Sequence, residues 1–254
     1  MPGKSQVKPV WRQENRRMNA EPIVLLDLDD TLLDFKKAEA QALSKSLTML
    51  GVPHDQAVLE RYHVLNLQYW ERLENGELTR EQVLLGRFVE LLAEIGSDAD
   101  PAELRDSYEK NLAIGHYFVE GAEDLLKALS GKCRLFLVSN GTASVQQGRL
   151  ASAGISGYFE QIFISQEIGA NKPEREYFER CFARIPDFDR GRCIIVGDSL
   201  TSDIRGGINA GISTCWFNLR KRKLRDGIVP DYRIADLSEL PALLKALYGT
   251  AFDE

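Results

Sequence analysis

Short, unbroken runs of apolar residues recur along the chain, and each run ends in small or polar residues that lead into a helical pattern. These runs occupy residues 23–26, 135–138, 162–164, 193–196 and 214–217. Apolar runs of this length without alternation are typical of strands that are buried on both faces of a parallel sheet. The repeated order of strand and helix predicts an α/β fold with a doubly wound, Rossmann-like parallel sheet. In such a sheet the ligand lies beyond the carboxyl ends of the strands.

A purely helical stretch interrupts this order between residues 36 and 117. Apolar side chains recur there every three or four positions, first at Val58, Tyr62, Leu65, Tyr69 and Leu73 and then at Leu84, Phe88, Leu91 and Ile95. This spacing predicts two amphipathic helices, and Asp100 before Pro101 predicts the start of a third. We expect the aromatic residues of this bundle to lie mainly in its core, with one or two at its rim facing a ligand; they are Tyr62, Tyr69, Trp70 and Phe88.

The same pattern divides the chain into three parts. Residues 21–35 and 118–254 contain all the predicted strands and form a core domain, and residues 36–117 form a helical insert within it. Residues 1–20 carry five basic side chains and no apolar run. We therefore predict a flexible basic tail there rather than a secretory signal, which needs a hydrophobic stretch.

The composition narrows the class of protein. Lysine and arginine number 32 against 38 aspartate and glutamate residues, so with a net charge of -6 we expect neither a nucleic-acid nor a membrane partner. The four cysteines form no C-x-x-C pair, which favours reduced core thiols and a cytoplasmic protein over a disulfide framework. With three histidines and no H-E-x-x-H motif, histidine-based metal chemistry and a Ser-His-Asp triad are disfavoured.

Three acidic residues stand within four positions of the first apolar run. They are Asp27, Asp29 and Asp30. Because strand side chains alternate, Asp27 and Asp29 can project to the same side where the strand gives way to a loop. Two carboxylates so close at the edge of a sheet repel each other unless a cation lies nearby. A helix N-cap would account for one of these acids but not for all three.

A second acidic segment follows the fourth apolar run, where Gly197 and Asp198 lead towards Asp203 and a helix rich in glycine and alanine. The sheet would bring Asp198 and Asp203 to the same edge as Asp27. Oxygen-only ligands from two strand ends describe a site for a hard cation, Mg2+ in particular. Asp203 has an equal alternative interpretation, as a residue that starts the following helix.

Two further segments at strand ends supply groups that suit an anion. Ser139, Asn140 and Gly141 follow the second run and offer a hydroxyl, an amide and a permissive backbone. Lys172 and Pro173 follow the third run; Pro173 fits the first position of a helix, and Lys172 would lie near the sheet edge. Taken alone these are an ordinary turn and a surface lysine. Their recurrence at successive strand ends predicts that one crevice collects them.

Carboxylates, a divalent cation, a lysine and hydrogen-bond donors around one point suit a phosphoryl group better than a neutral substrate. In this hypothesis Asp27 attacks phosphorus and forms an aspartyl-phosphate, which water then hydrolyses. Asp29 protonates the leaving alkoxide and afterwards takes a proton from that water. Mg2+, Lys172 and the turn at residues 139–141 hold and neutralise the phosphoryl oxygens.

Four segments together resemble the motifs of the haloacid dehalogenase (HAD) superfamily. They are Asp27-x-Asp29-x-Thr31, Ser139-Asn140-Gly141, Lys172-Pro173 and Gly197-Asp198-Ser199-x-x-x-Asp203. The resemblance implies that Mg2+ is bound by the Asp27 carboxylate, the Asp29 main-chain carbonyl and the Asp198 carboxylate. It implies that phosphate is bound by residues of the first three motifs, namely Thr31, Ser139, Asn140, Gly141 and Lys172. Asp203 would act through water or by positioning Lys172.

Within the superfamily the chain is similar to the pyrimidine 5'-nucleotidase group, and the similar segments are residues 120–141, 169–173, 206–211 and 215–218. This resemblance implies a nucleoside 5'-monophosphate as the substrate. The insert resembles the helical C1 cap, which closes over the site and excludes water. A sugar-phosphate phosphatase or a phosphomutase of the same superfamily is the alternative. A haloacid dehalogenase has no use for an acid at Asp29. A non-catalytic module that binds phosphorylated metabolites needs an extra assumption, because every expected catalytic group is present.

Overall fold

The computed structural model describes residues 21–224 and 227–249, and the tail predicted at residues 1–20 lies outside this part of the chain. Six strands form one parallel sheet: β1 (Ile23–Leu26), β2 (Arg134–Ser139), β3 (Gln161–Ile164), β4 (Cys193–Gly197), β5 (Ser213–Phe217) and β6 (Tyr232–Ile234). Their order across the sheet is β3-β2-β1-β4-β5-β6. The doubly wound α/β fold and its five predicted strands are confirmed, and β6 is an additional strand at the edge.

β1 occupies the centre of this sheet. Leu26 pairs in register with Leu137 of β2 on one side and with Val196 of β4 on the other. On one side of β1 lie β2 and then β3, and the chain next crosses to the opposite side of β1, where it forms β4. The carboxyl ends of β1 and β4 therefore meet where the winding direction reverses, which is where a doubly wound sheet opens its ligand crevice.

Four helices fill the predicted insert: α1 (Phe35–Met49), α2 (Gln56–Glu74), α3 (Arg80–Glu94) and α4 (Pro101–Leu112). The sequence pattern predicted the last three. α1 was not predicted, and its buried face mixes apolar residues with Glu39 and Ser46. The rings of Tyr62, Phe88 and Tyr108 pack with their centroids 5.2 to 5.5 Å apart in the core of the bundle. The expectation that Tyr62 and Phe88 belong to this core is confirmed.

The remaining helices cover the two faces of the sheet: α5 (Ala122–Leu129), α6 (Ala143–Ala153), α7 (Ser165–Ile168), α8 (Arg175–Phe182), α9 (Arg205–Ala210) and α10 (Leu240–Tyr248). Alternate side chains of β1 point to opposite faces of the sheet. Val24 and Leu26 pack in the hydrophobic cluster that includes α5 and α10, whereas Ile23 and Leu25 pack in the cluster that includes α8. A π-helical turn, Leu200–Ile204, precedes α9.

The insert is joined to the core by two chain segments that run side by side. The Asp34 amide donates to the Tyr117 carbonyl over 2.7 Å, and the Val119 amide donates to the Leu32 carbonyl over 3.0 Å. Residues 33 and 118 form an antiparallel bridge between these two hydrogen bonds. The chain thus leaves the core and returns to it at one place.

The helix that follows Lys172 begins later than predicted. α8 starts at Arg175, so the prediction that Pro173 occupies the first helical position is wrong. The physical reason is a turn that is closed by a hydrogen bond from the Glu174 amide to the Asn171 carbonyl, 2.8 Å long. This turn holds Lys172 outside the helix and beside the sheet edge.

Two other expectations concern the chain as a whole. The four cysteine thiols are all free and buried, as their spacing predicted. Among the helices in the described ranges, none combines the length and the apolar character that a membrane span requires.

Candidate active site

Asp27 follows β1 directly and lies at the switch point of the sheet. Its amide donates to the carbonyl of Val196 over 3.0 Å, and its side chain is 8% exposed. The Oδ2 atom of Asp27 accepts a hydrogen bond from the Thr31 hydroxyl at 3.2 Å, and that hydroxyl in turn accepts from the Asp198 amide at 3.2 Å. The structure therefore places Thr31, a predicted phosphate ligand, between the two acidic loops, where it orients Asp27.

Lys172 lies between two carboxylates in the buried base of the site. Its Nζ atom is 2.7 Å from Oδ1 of Asp27, 2.7 Å from Oδ1 of Asp203 and 3.0 Å from the carbonyl of Val138. Burial of Lys172 disfavours the charged ammonium, but the charges of Asp203 and Asp27 outweigh it and hold the pKa of Lys172 above its usual value. The lysine is thus a fixed positive charge beside Asp27.

Asp203 has a second partner, because its Oδ2 atom accepts from the Ser199 amide at 3.1 Å. With both oxygens engaged, Asp203 holds Lys172 in place, which is the positioning role that the motif implied. Asp203 also lies in the first turn of Leu200–Ile204. The two interpretations that the sequence left open are therefore compatible.

Three carboxylates form an acidic cluster at this point. Ligand atoms of Asp27, Asp198 and Asp203 all lie within 4.8 Å of one another. Burial raises the pKa of Asp27 well above its usual value; Lys172 opposes this shift, and the neighbouring carboxylates reinforce it. Burial also raises the pKa of Asp198 to about 7, with repulsion from Asp30 adding to the effect. Hard oxygen donors with a shortage of positive charge fit a divalent cation such as Mg2+.

Asp29 lies on the same cavity as Asp27, and two polar residues of α6 hold its carboxylate. Gln146 donates from Nε2 to Oδ2 of Asp29 over 2.7 Å, and Arg149 donates from Nη1 to Oδ1. Arg149 is fully buried, and its Nε atom donates to the carbonyl of Gly115. The sequence analysis missed both residues. Their only local signal is that they lie three positions apart on the helix that follows the Ser139 motif.

The segment Ser139-Asn140-Gly141 forms the turn after β2. The Ser139 hydroxyl accepts from the Gly141 amide at 3.2 Å and from Gln146 at 2.8 Å. The side-chain amide of Asn140 donates to the Lys172 carbonyl and accepts from the Lys172 amide, over 2.8 and 2.9 Å. The side chain of Asn140 therefore ties the second motif to the third, although the sequence suggested it as a phosphate ligand.

Arg80, the first residue of α3, reaches from the insert to the core. Its guanidinium donates to the carbonyls of Asn140 and Gly141 and to the side chains of Ser165 and Asn171. Its own sequence neighbourhood indicates only the start of a helix, so the sequence analysis missed it. Two of these hydrogen bonds hold the start of α3 against the turn at residues 139–141, and the other two hold it against Ser165 and Asn171.

Two further arginines follow β5 and approach the acidic loops from the other side. Arg222 donates from Nη2 to Oδ2 of Asp198 over 2.7 Å, and Arg220 is 3.2 Å from Oδ2 of Asp30. Asp30 has a φ of 55°, and its Oδ1 accepts from the Phe35 amide. The signal for the arginines was the basic run at residues 220–223, next to the carboxyl end of a predicted strand.

One cavity of about 230 Å³ joins the acidic cluster to the interior of the insert. Its core wall contains Asp27, Asp29, Lys172 and Asp198, and its insert wall contains Asn66, Trp70, Arg87, Tyr108 and Glu109. Trp70 is thus one aromatic residue of the bundle that faces the cavity. Tyr69 instead donates its hydroxyl to Glu90 over 2.8 Å.

Comparison with known proteins identifies the family of this chain. A family model described as haloacid dehalogenase-like hydrolase matches residues 22–211. The HAD-hydrolase YfnB of Bacillus subtilis is 40% identical over 221 residues, which are 87% of this chain and 94% of YfnB. The pyrimidine 5'-nucleotidase PynA of Streptococcus pneumoniae is 35% identical, over 85% of this chain and 92% of PynA. The pyrimidine 5'-nucleotidase YjjG of Escherichia coli is 32% identical, over 87% of this chain and 96% of YjjG.

A solved structure shows the same architecture. An orthorhombic crystal form of Bacillus subtilis YfnB, bound to magnesium and described as revealing interdomain movement, matches with a TM-score of 0.85 and 39% identity. The match covers 89% of this chain and 99% of that chain.

Proposed function

The chain belongs to the haloacid dehalogenase-like hydrolases, and from this membership we propose that it is a Mg2+-dependent phosphomonoesterase acting on pyrimidine nucleoside 5'-monophosphates. The similarity to PynA and YjjG, both named pyrimidine 5'-nucleotidases, supports the choice of substrate. The charges of the site support the chemistry, because a buried lysine and a cation-binding acidic cluster suit a phosphoryl group.

The observation that carries the phosphatase proposal is the placement of Asp29. Its carboxylate lines the same cavity as Asp27 and is held there by Gln146 and Arg149. An enzyme that attacks carbon and expels a halide needs no proton donor at this position. An enzyme that expels an alkoxide does need one, since an alkoxide is a poor leaving group.

In the first step a carboxylate oxygen of Asp27 forms a bond to phosphorus while the bond from phosphorus to the 5'-oxygen breaks. Asp29 transfers its proton to that oxygen, and the nucleoside leaves as an alcohol. Lys172 donates hydrogen bonds in the site and offsets the negative charge beside Asp27.

In the second step water attacks the phosphorus of the aspartyl-phosphate. Asp29 accepts the proton of that water, and the bond from phosphorus to Asp27 breaks. Inorganic phosphate is released, and both carboxyl groups return to their starting states. The carboxylates of Asp27 and Asp198 and the main-chain carbonyl of Asp29 would hold Mg2+, which supplies positive charge to the transferring group.

We further propose that residues 36–117 act as a C1 cap over the core at residues 21–35 and 118–254. The contacts of Arg80 with the turn at residues 139–141 support this role, since they bring the insert over the site. We also propose a cytoplasmic location, which the four free, buried thiols support.

The test is phosphate release from UMP, dTMP, CMP, AMP, ribose 5-phosphate and p-nitrophenyl phosphate, with Mg2+ or with a chelator. Asp27→Asn is compared with Asp124→Asn, a matched control at a carboxylate with an 88% exposed side chain. We expect metal-dependent hydrolysis of the pyrimidine nucleotides that is lost in Asp27→Asn and retained in Asp124→Asn.

Each other outcome has a defined meaning. A preference for ribose 5-phosphate over every nucleotide would identify a sugar-phosphate phosphatase. Hydrolysis of the aryl phosphate alone would leave the chemistry in place and remove the nucleotide assignment. Phosphate release that Asp27→Asn does not change, or none from any substrate, would overturn the proposal.

A further inference from the structure

The part of the cavity inside the insert contains two oppositely charged groups with unused hydrogen-bonding atoms. Arg87 of α3 is 3% exposed and lines this cavity together with Glu109 of α4. Within residues 21–224 and 227–249, neither the Nε atom of Arg87 nor the Oε1 atom of Glu109 has a hydrogen-bond partner, although both atoms are buried. A buried polar atom without a partner is costly, and its presence in a cavity points to a ligand that completes it.

The orientation of Arg87 is fixed by a buried polar chain. Its Nη1 atom donates to Oδ1 of Asn66, whose Nδ2 atom donates to Oε1 of Glu39 over 2.6 Å. The Oε2 atom of Glu39 is 2.5 Å from Nδ1 of His63. Asn66 and Glu39 are 1% and 2% exposed, and the ring of Tyr108 lies 5.5 Å from the guanidinium. Such a network holds the free Nε–H in one direction, which is a property of recognition sites.

Glu109 is close enough to Arg87 for their charges to interact. Burial raises the pKa of Glu109, and the positive charge of Arg87 opposes that shift. A donor and an acceptor therefore stand near each other on one cavity wall. The group that satisfies both must present a hydrogen-bond acceptor beside a hydrogen-bond donor.

We propose that Arg87 and Glu109 bind the hydrogen-bonding edge of a pyrimidine base such as uracil or thymine, an inference that rests on the proposed nucleotidase function. The imide edge of these bases carries an N–H group flanked by two carbonyl oxygens. The Nε–H of Arg87 donates to a carbonyl oxygen, and Oε1 of Glu109 accepts from the ring N3–H. Because the edge is nearly symmetric, an adjacent donor and acceptor match it with the base in either orientation.

The same cavity connects this pair to the acids that would react with the phosphate. Asp27 and Arg87 both line it, one on the core side and one on the insert side. A nucleotide with its phosphate at Asp27 would direct its base towards the insert. Arg87 and Glu109 are then specificity-determining residues, and they make no contact with the reacting atoms.

The experiment removes the imide N–H from the substrate and its acceptor from the protein. UMP and 3-methyluridine 5'-monophosphate are compared in the wild type and in Glu109→Met. Each kcat/KM is divided by that for p-nitrophenyl phosphate, which carries no base, so that a general loss of activity cancels. Glu103→Met serves as the control, because Glu103 is an exposed acid on the same helix.

We expect the wild type and Glu103→Met to prefer UMP over its methylated derivative by about 10-fold or more. In Glu109→Met the ratio between the two nucleotides should approach one, through a loss of activity towards UMP. Equal use of the two nucleotides by the wild type, or a preference that survives in Glu109→Met, would overturn the base-binding role.

Binding separates this inference from the nucleotidase proposal. Calorimetric titration of both nucleotides into Asp27→Asn measures the same discrimination without turnover. Preferential binding of UMP by a protein whose wild type releases no phosphate would remove the nucleotidase function and retain the base site. Turnover of UMP without any discrimination against the methylated derivative would retain the nucleotidase function and remove the base site.

Discussion

Arg149 donates a hydrogen bond from Nη1 to Oδ1 of Asp29, which lies 120 residues earlier in the chain. The Nε atom of the same guanidinium donates to the carbonyl of Gly115 over 3.0 Å. Gly115 lies just before the segment through which the insert returns to the core. One fully buried side chain therefore links the acid beside Asp27 to the end of the insert. The position of Asp29 depends on how that end is held.

We expect Arg149→Met to lower kcat for UMP by about 10- to 100-fold with little change in KM, because Asp29 loses the donor that positions it for proton transfer. Steady-state kinetics provide the measurement. Arg149→Lys should recover part of the loss, and Arg175→Met, at a site with a 70% exposed side chain, should match the wild type. A change in KM alone would contradict a positioning role.

Asp29→Asn should separate substrates by their leaving groups. Hydrolysis of UMP should fall by about 100-fold or more, because the alkoxide leaves without a proton donor. An aryl oxide departs without help, so p-nitrophenyl phosphate should still phosphorylate Asp27, while the water step slows for lack of a base. Rapid-mixing kinetics should then show a burst of nitrophenolate equal to the enzyme concentration. Equal slowing of both substrates without a burst would contradict the role of Asp29.

The acidic cluster predicts a pH-dependent stability in the presence of a chelator. The pKa of Asp198 rises from 3.8 in the unfolded chain to about 7 in the native state. Between these two values the native state binds a proton at Asp198 that the unfolded chain does not bind. The contribution of Asp198 to the free energy of unfolding is therefore fully present below about pH 4 and is lost as pH rises towards 7. Melting temperatures should therefore fall between pH 4 and pH 8 by several degrees more in the wild type than in Asp198→Asn.

Added Mg2+ should reverse this difference, because a cation bound to the ionised carboxylates stabilises the native state. At pH 8 the wild type should gain in melting temperature and Asp198→Asn should gain little. Parallel pH profiles for the two proteins in chelator, or equal gains with Mg2+, would exclude Asp198 as the source.

Arg80→Met should loosen the insert from the turn at residues 139–141. Four hydrogen bonds to the core are lost, and three of their acceptors, the carbonyls of Asn140 and Gly141 and the side chain of Asn171, belong to loops at the site. Amide hydrogen exchange in the turn should become faster, and kcat/KM for UMP should fall by about 10-fold or more. Arg72→Met, on the same insert at a 47% exposed side chain, is the control and should change neither quantity.

Much of the core and many of the site residues were predictable because their signals are local. A parallel strand buried on both faces is recognisable as an apolar run, and Asp27, Lys172 and Asp198 each stand just beyond such a run or its following loop. The switch point then brings them together without any further information. β6 was not predictable in this way, because it has three residues at the edge of the sheet and no apolar run.

The residues that were missed act through distant contacts. Arg80 bonds to residues 60 to 91 positions away, and Arg149 bonds to Asp29, which lies 120 positions away in the chain. Nothing near either residue distinguishes it from an ordinary helical arginine. Pro173 illustrates a different error. Its local preference predicted a helix start, but in the structure it lies in the turn that holds Lys172.

The paired segments at residues 32–34 and 117–119 have a consequence for how the protein can change in evolution. Because Leu32 and Val119 are joined by one hydrogen bond, everything between them is a single loop whose ends already touch. A loop of very different length can close the same gap at little cost in entropy. Substitutions, insertions or a whole exchange within residues 36–116 can therefore alter which molecules enter, while β1 and β4 keep Asp27 and Asp198 where they are. The groups proposed to react and the groups proposed to bind the base thus lie in separate stretches of the chain, which are coupled where Arg80 and Arg149 join the insert to the core.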